Sequence, residues 1–469
     1  MKTWVNEARE RIQDIIRFRE TVLEGIQRKD PGRIGFTASL RDVKNVVIIA
    51  SSSRSGSSLL FSILKDIPSF YSLSGENVPF YKLNRLLDDT FGSDEVPEGL
   101  MGADPYLPGL SRDLLSDFAF TELHGDIFTD QKIAEVYWDD LTLRFPLQWP
   151  GIRFSLDILS DRIRQAFDTV RKSHPEFCKE TFYLELLWLL KRDYSEIDPY
   201  YYDIPAERIA GKFPGLPVPS GPPDACLAVE EPPFILLSPR RKACRADLSD
   251  KTLLLKTSLD CYRLPLIESL MPQAAIKIIH LTRNPAASVN GLCDGWMHRG
   301  FFSHNLKIFL DQNKNGHAFE KLGIQGYSDK YEWGKWWWNF ELPPGWQDYS
   351  QRPLEEVCAF QWHSAHTAIR AYLNTKKKAY CVVKCENILE DLRTRMGEME
   401  KIVDFLGVER EFLKGLKLDL LRVVHATEAP SFFRWKKRGK ALTSVVKTPP
   451  MNEMSAQLGY DPQDMENWL

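Results

Sequence analysis

The chain has 469 residues, a hydrophobic content of 43% and a charged content of 27%, which predict a folded protein with a large core and exclude a disordered chain. Its 61 lysines and arginines nearly balance 64 aspartates and glutamates, so no general attraction to nucleic acid or to an anionic membrane is expected. Any anion site must therefore be local. The length predicts one enlarged α/β domain or a core that carries a large insertion.

The amino-terminal segment predicts an amphipathic helix. Residues 1–19 carry charged side chains throughout and lack the apolar stretch of a signal peptide, and residues 1–30 place isoleucines and valine at helical intervals. No later segment approaches ~18 uninterrupted apolar residues. Eight cysteines lack the paired spacing of a zinc site. We therefore expect a cytoplasmic protein with reduced thiols, no metal and no membrane span.

The main body alternates strands with helices. The first strand, Asn45–Ala50, is an apolar β-branched run, followed by a polar loop and a helix over 57–67. A short strand is expected at 70–73, and further strands at 252–256, 276–282 and 380–384 alternate with helices at 259–271, from Pro285 onward and at 393–406. This alternation predicts an α/β fold with a parallel sheet flanked by helices.

Two stretches interrupt this alternation. Residues 84–250 contain predicted helices at 154–170 and 176–193 and a run rich in Pro and Gly at 214–223. We expect an N-terminal helical extension at 1–44, a core formed by 45–83 and 251–469, and a largely helical or irregular insertion at 84–250. The aromatic segment 331–340 is predicted to be either a lid or a hydrophobic plug.

The loop between the first strand and its helix predicts an anion site. It reads Ser-Ser-Ser-Arg-Ser-Gly-Ser-Ser over 51–58, where backbone N–H groups and the positive end of a helix dipole converge. Gly56 lets the backbone approach a ligand, Arg54 supplies a charge, and the Ser57 and Ser58 hydroxyls can donate. The Gly-Lys-[Ser/Thr] ending of the Walker A motif is missing. A serine-rich turn that only caps the helix is the alternative.

Arg54, Ser55, Gly56, Ser57 and Ser58 resemble the 5′-phosphosulfate loop of the PAPS-dependent sulfotransferase superfamily, in its carbohydrate, tyrosylprotein and bacterial branches. PAPS is 3′-phosphoadenosine 5′-phosphosulfate, and PAP is its desulfated product. The resemblance implies a P-loop-like α/β fold that binds PAPS through these five residues without a metal.

Residues 278–285, Ile-Ile-His-Leu-Thr-Arg-Asn-Pro, resemble the family's 3′-phosphate segment. Arg283 would follow a parallel strand and face the crevice where nucleotides bind in open sheets. The serine that the family places eight residues later is Gly291 here, so Ser288 is our substitute donor, with Asn290 as the alternative. Near the carboxyl terminus, Arg438 and Gly439 resemble the Arg/Lys-Gly loop that closes over the nucleotide.

The resemblance implies sulfuryl transfer to a hydroxyl or amine of a carbohydrate or small-molecule acceptor, with no nucleic acid as partner. Arg54 would stabilise the leaving group, Glu76 in a Gly-Glu element would be the base, and His124 is the reserve base. Two alternatives stay open. One is a kinase-like transferase that uses an NTP, and the other is a non-catalytic nucleotide-binding protein.

Overall fold

The computed structural model describes residues 4–84, 92–97, 107–298, 300–307, 320–416, 418–419 and 431–468. Among these residues there is no helix with both the length and the apolar character that crossing a membrane requires.

The chain forms nine strands and eighteen α-helices within the described ranges. The strands are β1 Asn45–Ala50, β2 Phe70–Ser72, β3 Ala119–Phe120, β4 Arg241–Lys242, β5 Thr252–Lys256, β6 Ala275–Thr282, β7 His304–Asn305, β8 Trp337–Trp338 and β9 Tyr380–Lys384. The first nine helices are α1 Trp4–Lys29, α2 Ile34–Thr37, α3 Ser57–Leu64, α4 Val78–Leu83, α5 Leu107–Asp117, α6 Gln131–Gln148, α7 Leu156–Ser173, α8 Lys179–Asp193 and α9 Ala206–Lys212. The others are α10 Arg245–Asp250, α11 Leu264–Leu270, α12 Pro285–Trp296, α13 Leu354–Lys376, α14 Cys385–Leu389, α15 Leu392–Leu406, α16 Phe412–Gly415, α17 Gly439–Val446 and α18 Pro449–Gln457.

Seven strands form one sheet in the order β4-β3-β2-β5-β1-β6-β9. Strand β1 lies at its centre, parallel to both neighbours, with Asn45 aligned with Thr252 of β5 and Ala275 of β6. Strands β2 and β9 are also parallel to their neighbours β5 and β6, whereas β3 and β4 pair in antiparallel fashion. Strands β7 and β8 form a separate antiparallel pair. The predicted α/β fold with a mainly parallel sheet and flanking helices is confirmed.

Strand β1 is apolar along its whole length because both faces of the sheet are covered. Val46 and Ile48 belong to one hydrophobic cluster, and Val47 and Ile49 belong to the cluster on the opposite face. Alternate side chains of a strand point to opposite faces, so a central strand between two helical layers needs an apolar residue at every position. This packing holds the carboxyl end of β1 in a fixed position.

Most predicted core elements agree with the structure. Strands β5 and β9 have the predicted bounds, α12 begins at Pro285, and α15 ends at Leu406 before the C-cap Gly407, whose φ of 75° is left-handed. The helix predicted at 259–271 is wrong in its first half, where a 3₁₀ turn, Ser258–Tyr262, precedes α11. Pro265 lacks an N–H, so it fits only the first turn of a new helix.

Residues 84–250 do more than cover the sheet. They supply β3 and β4, which extend the sheet by two strands, and α6, α7 and α8 share a separate hydrophobic cluster. Strands of two residues carry no alternating pattern, which is why the sequence did not reveal them. Residues 85–91 and 98–106 of this predicted insertion lie outside the described part of the chain. Helix α1, predicted at 1–30, packs against α6.

Candidate functional site

The carboxyl ends of β1 and β6 bring the two predicted anchors into contact. The loop 51–56 follows β1, and Arg283 follows β6, the next strand of the sheet. The Nη1 group of Arg283 donates a hydrogen bond to the carbonyl oxygen of Arg54 at 3.2 Å. Asn284 then caps α12 by accepting from the Ala287 N–H, and Pro285 fills the first helical position. The change from strand to helix therefore occurs directly after Arg283.

The loop presents a row of backbone donors. Gly56 has a φ of 91°, and a side chain there would collide with Sγ of Cys385 at the start of α14. Among the described residues, no acceptor lies within hydrogen-bond distance of the N–H groups of Ser55, Gly56, Ser57 and Ser58. Successive unsatisfied N–H groups before a helix form a concave site for an anion.

The side chain of Arg54 is fixed between helix α12 and an aromatic ring. A Cβ atom at Gly291 would lie 3.2 Å from Cβ of Arg54, and the guanidinium carbon lies 5.1 Å from the ring centre of Phe301. Burial lowers the pKa of Arg54 to about 10, with Arg283 and Arg434 adding to the effect. Arg54 therefore remains charged at neutral pH in a site that disfavours its charge.

Position 291, where the resemblance to the sulfotransferase pattern would place a serine, is a glycine that packs on Arg54. Because this position packs directly on Arg54, a serine side chain here would crowd it. Ser288 is fully buried, and its Oγ donates a hydrogen bond at 3.4 Å to the carbonyl oxygen of Arg283, directly before its own helix. The structure therefore does not bring the Ser288 hydroxyl to the loop.

A basic segment lies against the same helix. Asp294 accepts hydrogen bonds from Arg434 at 2.7 Å and from Arg438 at 2.6 Å, and Nε of Arg438 donates to Oδ1 of Asn290 at 2.9 Å. Gly439, with a φ of 56°, begins α17 directly after this segment. The contacts with Asn290 and Asp294 of α12 thus hold Arg434 and Arg438 near Arg54.

Glu76 lies at the same edge of the sheet, beyond β5. It forms an ion pair with Lys256, the last residue of β5, and its side chain is 35% exposed. The next residue, Asn77, donates to Oδ2 of the buried Asp260 at 2.8 Å. Burial raises the pKa of Asp260 to about 7. Glu76 is thus a partly exposed carboxylate held in place by a lysine.

His124 is not brought to this site. Strand β3 runs antiparallel to β2, so the chain after Phe120 lies at the edge where the parallel strands begin. Thr121 there donates to the carbonyl oxygen of Lys65 at 3.1 Å, before β2. The His124 side chain is 71% exposed and lies 3.8 Å from Glu122. Its position does not support a role as reserve base.

The sequence patterns did not predict several other side chains at this edge of the sheet. Glu341, fully buried, accepts a hydrogen bond from the Ser53 N–H, and burial raises its pKa to about 7. Phe301 also reaches the site from a distant segment, and its ring lies under the Arg54 guanidinium. Among the residues that were missed, Asp294 could have been found from the sequence, because it shares one helical face with Asn290 and Gly291.

The arrangement suits a ligand with several negative charges. Arg434 and Arg438 form ion pairs with Asp294, whose charge also acts on Arg54, and Arg283 contacts Arg54, so four guanidinium groups lie near the N–H groups of the loop. Among the described residues, no cluster of three or more His, Cys, Asp or Glu side chains has the arrangement to hold a metal ion. Comparison of the chain with protein-family models, with curated proteins and with solved structures finds no match in any of the three.

Proposed function

We propose that the protein is a sulfotransferase that moves the sulfuryl group of PAPS to a hydroxyl or amine of a carbohydrate or small-molecule acceptor. The observation that carries this proposal is the contact between Arg283 and Arg54 beside the four N–H groups of the loop. The order Arg-Ser-Gly-Ser-Ser over 54–58, which resembles the 5′-phosphosulfate loop, connects this anion site with PAPS.

The charges at the site fit a doubly phosphorylated nucleotide. Without an anion, Arg54 and Arg283 repel each other in surroundings that solvate a charge poorly, which lowers the pKa of Arg54. A phosphosulfate at the loop and a 3′-phosphate at Arg283 would remove this repulsion. Arg438, held against α12 by Asn290 and Asp294, would close over the nucleotide. PAPS itself would supply an activated sulfur, so the protein need only bind, orient and stabilise charge.

Each residue then has a definite task. Arg54 and the loop N–H groups stabilise the negative charge that develops on the leaving phosphate oxygen, as donors in an oxyanion hole do. A carboxylate at the same edge receives the proton of the acceptor, and Glu76 is the residue that the sequence predicts for it. Its ion pair with Lys256 orients the carboxylate toward the edge of the sheet.

Calorimetry with PAP, compared with ATP and Mg²⁺, tests the nucleotide. Binding of PAP that is at least tenfold tighter, and independent of Mg²⁺, supports the proposal. Tighter binding of ATP with Mg²⁺ would instead favour a kinase-like transferase.

Transfer of labelled sulfate from PAPS to sugars, phenols and amines tests the reaction. We expect transfer to at least one acceptor class, and a decrease of at least tenfold in Glu76→Gln. Binding of PAP with no transfer to any acceptor would leave a non-catalytic nucleotide-binding protein.

A further inference from the structure

Glu231 is connected to the proposed reaction centre through Phe301, although it belongs to a segment far from the loop in sequence. The carbonyl oxygen of the following residue, Pro232, accepts a hydrogen bond from the N–H of Phe301. The ring of Phe301 in turn lies under the Arg54 guanidinium, 5.1 Å from its carbon. The backbone that carries Glu231 is therefore bonded to the residue that contacts Arg54.

Ser303 fixes the carboxyl group of Glu231 on this side. Its Oγ lies 2.7 Å from Oε1 of Glu231 and accepts a hydrogen bond from the N–H of Phe340 at 2.8 Å. The ring of Phe340 packs on Phe301 with 5.1 Å between the ring centres. Glu231, through Ser303, and Arg54, through its contact with the Phe301 ring, are thus joined to the same aromatic wall, which Phe301 and Phe340 form.

The backbone around this wall is strained. Arg54, Phe301 and Phe340 have φ angles of 63°, 63° and 61°, in the left-handed region that residues with side chains seldom adopt. Such conformations persist only where the surrounding structure holds them, and they concentrate at functional sites. The strain at three neighbouring residues supports a functional role for this part of the molecule.

Glu231 differs from Glu76 in its surroundings. One oxygen of Glu76 is engaged by Lys256, whereas Glu231 makes no ion pair within the described part of the chain. The charged or titratable groups that act on Glu231 are Glu76, Lys82 and His304, and Nζ of Lys82 donates to the backbone carbonyl of Ser303 at 2.8 Å. Glu231 is partly exposed to solvent. A proton on an acceptor can therefore reach it without breaking an ion pair.

We propose that Glu231, rather than Glu76, is the carboxylate that takes the proton of the acceptor. This inference rests on the proposed function. The acceptor oxygen or nitrogen forms the bond to sulfur, the bond between sulfur and the bridging oxygen breaks, and its electron pair stays on the leaving phosphate beside Arg54. The proton of the acceptor passes to Glu231, while Glu76 and Lys256 orient the acceptor.

The surroundings of Glu231 suit this task. Burial raises its pKa to about 7, and the charge of Glu76 raises it further, while Ser303, Lys82 and His304 lower it. A base with a pKa near the working pH combines a large deprotonated fraction with a strong tendency to accept a proton.

The test compares the pH dependence of kcat/KM for labelled sulfate transfer in the full chain and in Glu231→Gln. We expect an acidic limb near pH 7 in the wild type. In Glu231→Gln, kcat should decrease by about 100-fold or more, with the limb abolished, since positioned general bases contribute ~10²–10⁴-fold. The affinity for PAP should remain within twofold, which also verifies that the variant is folded.

Variants of the neighbouring carboxylates test whether the acidic limb of the pH profile belongs to Glu231. Glu76→Gln, Asp260→Asn and Glu341→Gln should each retain the limb, although burial also raises the pKa of Asp260 and Glu341 to about 7. Ser303→Ala should move the limb to higher pH, because it removes a hydrogen bond that lowers the pKa of Glu231. Ser303→Ala keeps the carboxyl group of Glu231, so it tests the role of Glu231 in the pH dependence without removing that group.

Two results would overturn the inference: an acidic limb that persists in Glu231→Gln, or one that disappears in Glu76→Gln instead. Either result leaves the proposed function intact if the wild type transfers sulfate. A wild type that neither binds PAP nor transfers the label would overturn the proposed function itself.

Discussion

The carbonyl oxygen of Arg54 accepts a hydrogen bond from Nη1 of Arg283, so two arginines separated by more than 200 residues hold one another at a single edge of the sheet. The contact spans two adjacent parallel strands, β1 and β6, whose carboxyl ends lie side by side. It also brings two positive charges close together, and their repulsion adds to burial in lowering the pKa of Arg54. Asp294 supplies one negative charge, and a bound anion would supply more.

Replacing Arg283 should weaken nucleotide binding. We expect Arg283→Met to raise the Kd for PAP by about 10- to 100-fold, because a hydrogen bond to a charged group contributes ~1.5–3 kcal/mol. Calorimetry measures this change, and Arg283→Lys should restore part of the affinity. The control is Arg410→Met, which removes an exposed arginine paired with Asp404 and should leave the Kd within twofold. Equal losses in the two variants would contradict a local role for Arg283.

Shortening the aromatic wall should impair the reaction more than binding. Phe301→Leu removes the ring beneath the Arg54 guanidinium, so we expect kcat for sulfate transfer to decrease by ~3- to 10-fold, in line with a cation–π contribution of ~0.5–2 kcal/mol. The Kd for PAP should change by less. A matched control is Phe405→Leu, which removes a ring 5.7 Å from the Lys277 ammonium instead. An unchanged kcat in Phe301→Leu would show that the ring does not orient Arg54.

Restoring the serine of the family pattern should be harmful in this chain. In Gly291→Ser the new Cβ would lie 3.2 Å from Cβ of Arg54, so the Arg54 side chain has to move by a few tenths of an ångström. We expect weaker PAP binding, by about threefold or more, because a loss of ~0.7 kcal/mol or more follows from a misplaced charged donor. The control Gly397→Ser also changes a helical glycine, but one with open space around it. Tighter binding in Gly291→Ser would contradict this packing argument.

The buried histidine pair should make stability depend on pH. Nε2 of His280 lies 3.0 Å from Nδ1 of His366, and burial lowers both pKa values, that of His280 to about 3. Since the unfolded chain binds protons at these histidines below about pH 6.5, their contribution to the free energy of unfolding is lost as the pH falls from there toward 3. Each histidine contributes up to ~1.4 kcal/mol per pH unit in that window.

A variant isolates this contribution. Glu231, Asp260 and Glu341 have raised pKa values, so their contribution has the opposite sign and is lost as the pH rises toward 7. Denaturant unfolding at pH 5 and pH 7.5 should therefore be compared between the wild type and His366→Phe. The variant should lose less stability at pH 5, while His124→Gln, which changes an exposed histidine, should match the wild type. If His366→Phe showed the pH dependence of the wild type, the buried histidine pair would not be the source of the stability lost at low pH.

The strand-loop-helix units could be predicted because each of them is local. An apolar run, a glycine loop and a helical stripe lie within about 25 residues of one another, and strand ends in a parallel sheet meet at one edge. This is why Arg54, Arg283 and Glu76 were expected together, and the structure brings all three to the same edge. The prediction for His124 lacked this support, since no parallel strand precedes it.

The remaining contacts depend on the tertiary structure. Phe301 and Glu341 reach the loop from irregular segments, and the segment of Glu231 is bonded to Phe301. No periodic pattern describes the paths of these segments. The packing of Gly291 on Arg54 likewise requires α12 to lie against the loop at a particular distance.

The amino-acid sequence by itself determined the α/β architecture, the position of the anion loop and the arginine that follows β6, because these features depend on short-range patterns of apolar residues, glycine and charge. Only the tertiary structure decided which carboxylates and aromatic rings surround that loop. Those neighbours are selected by the packing of distant segments, and side-chain packing between segments far apart in the chain leaves no periodic trace in the sequence.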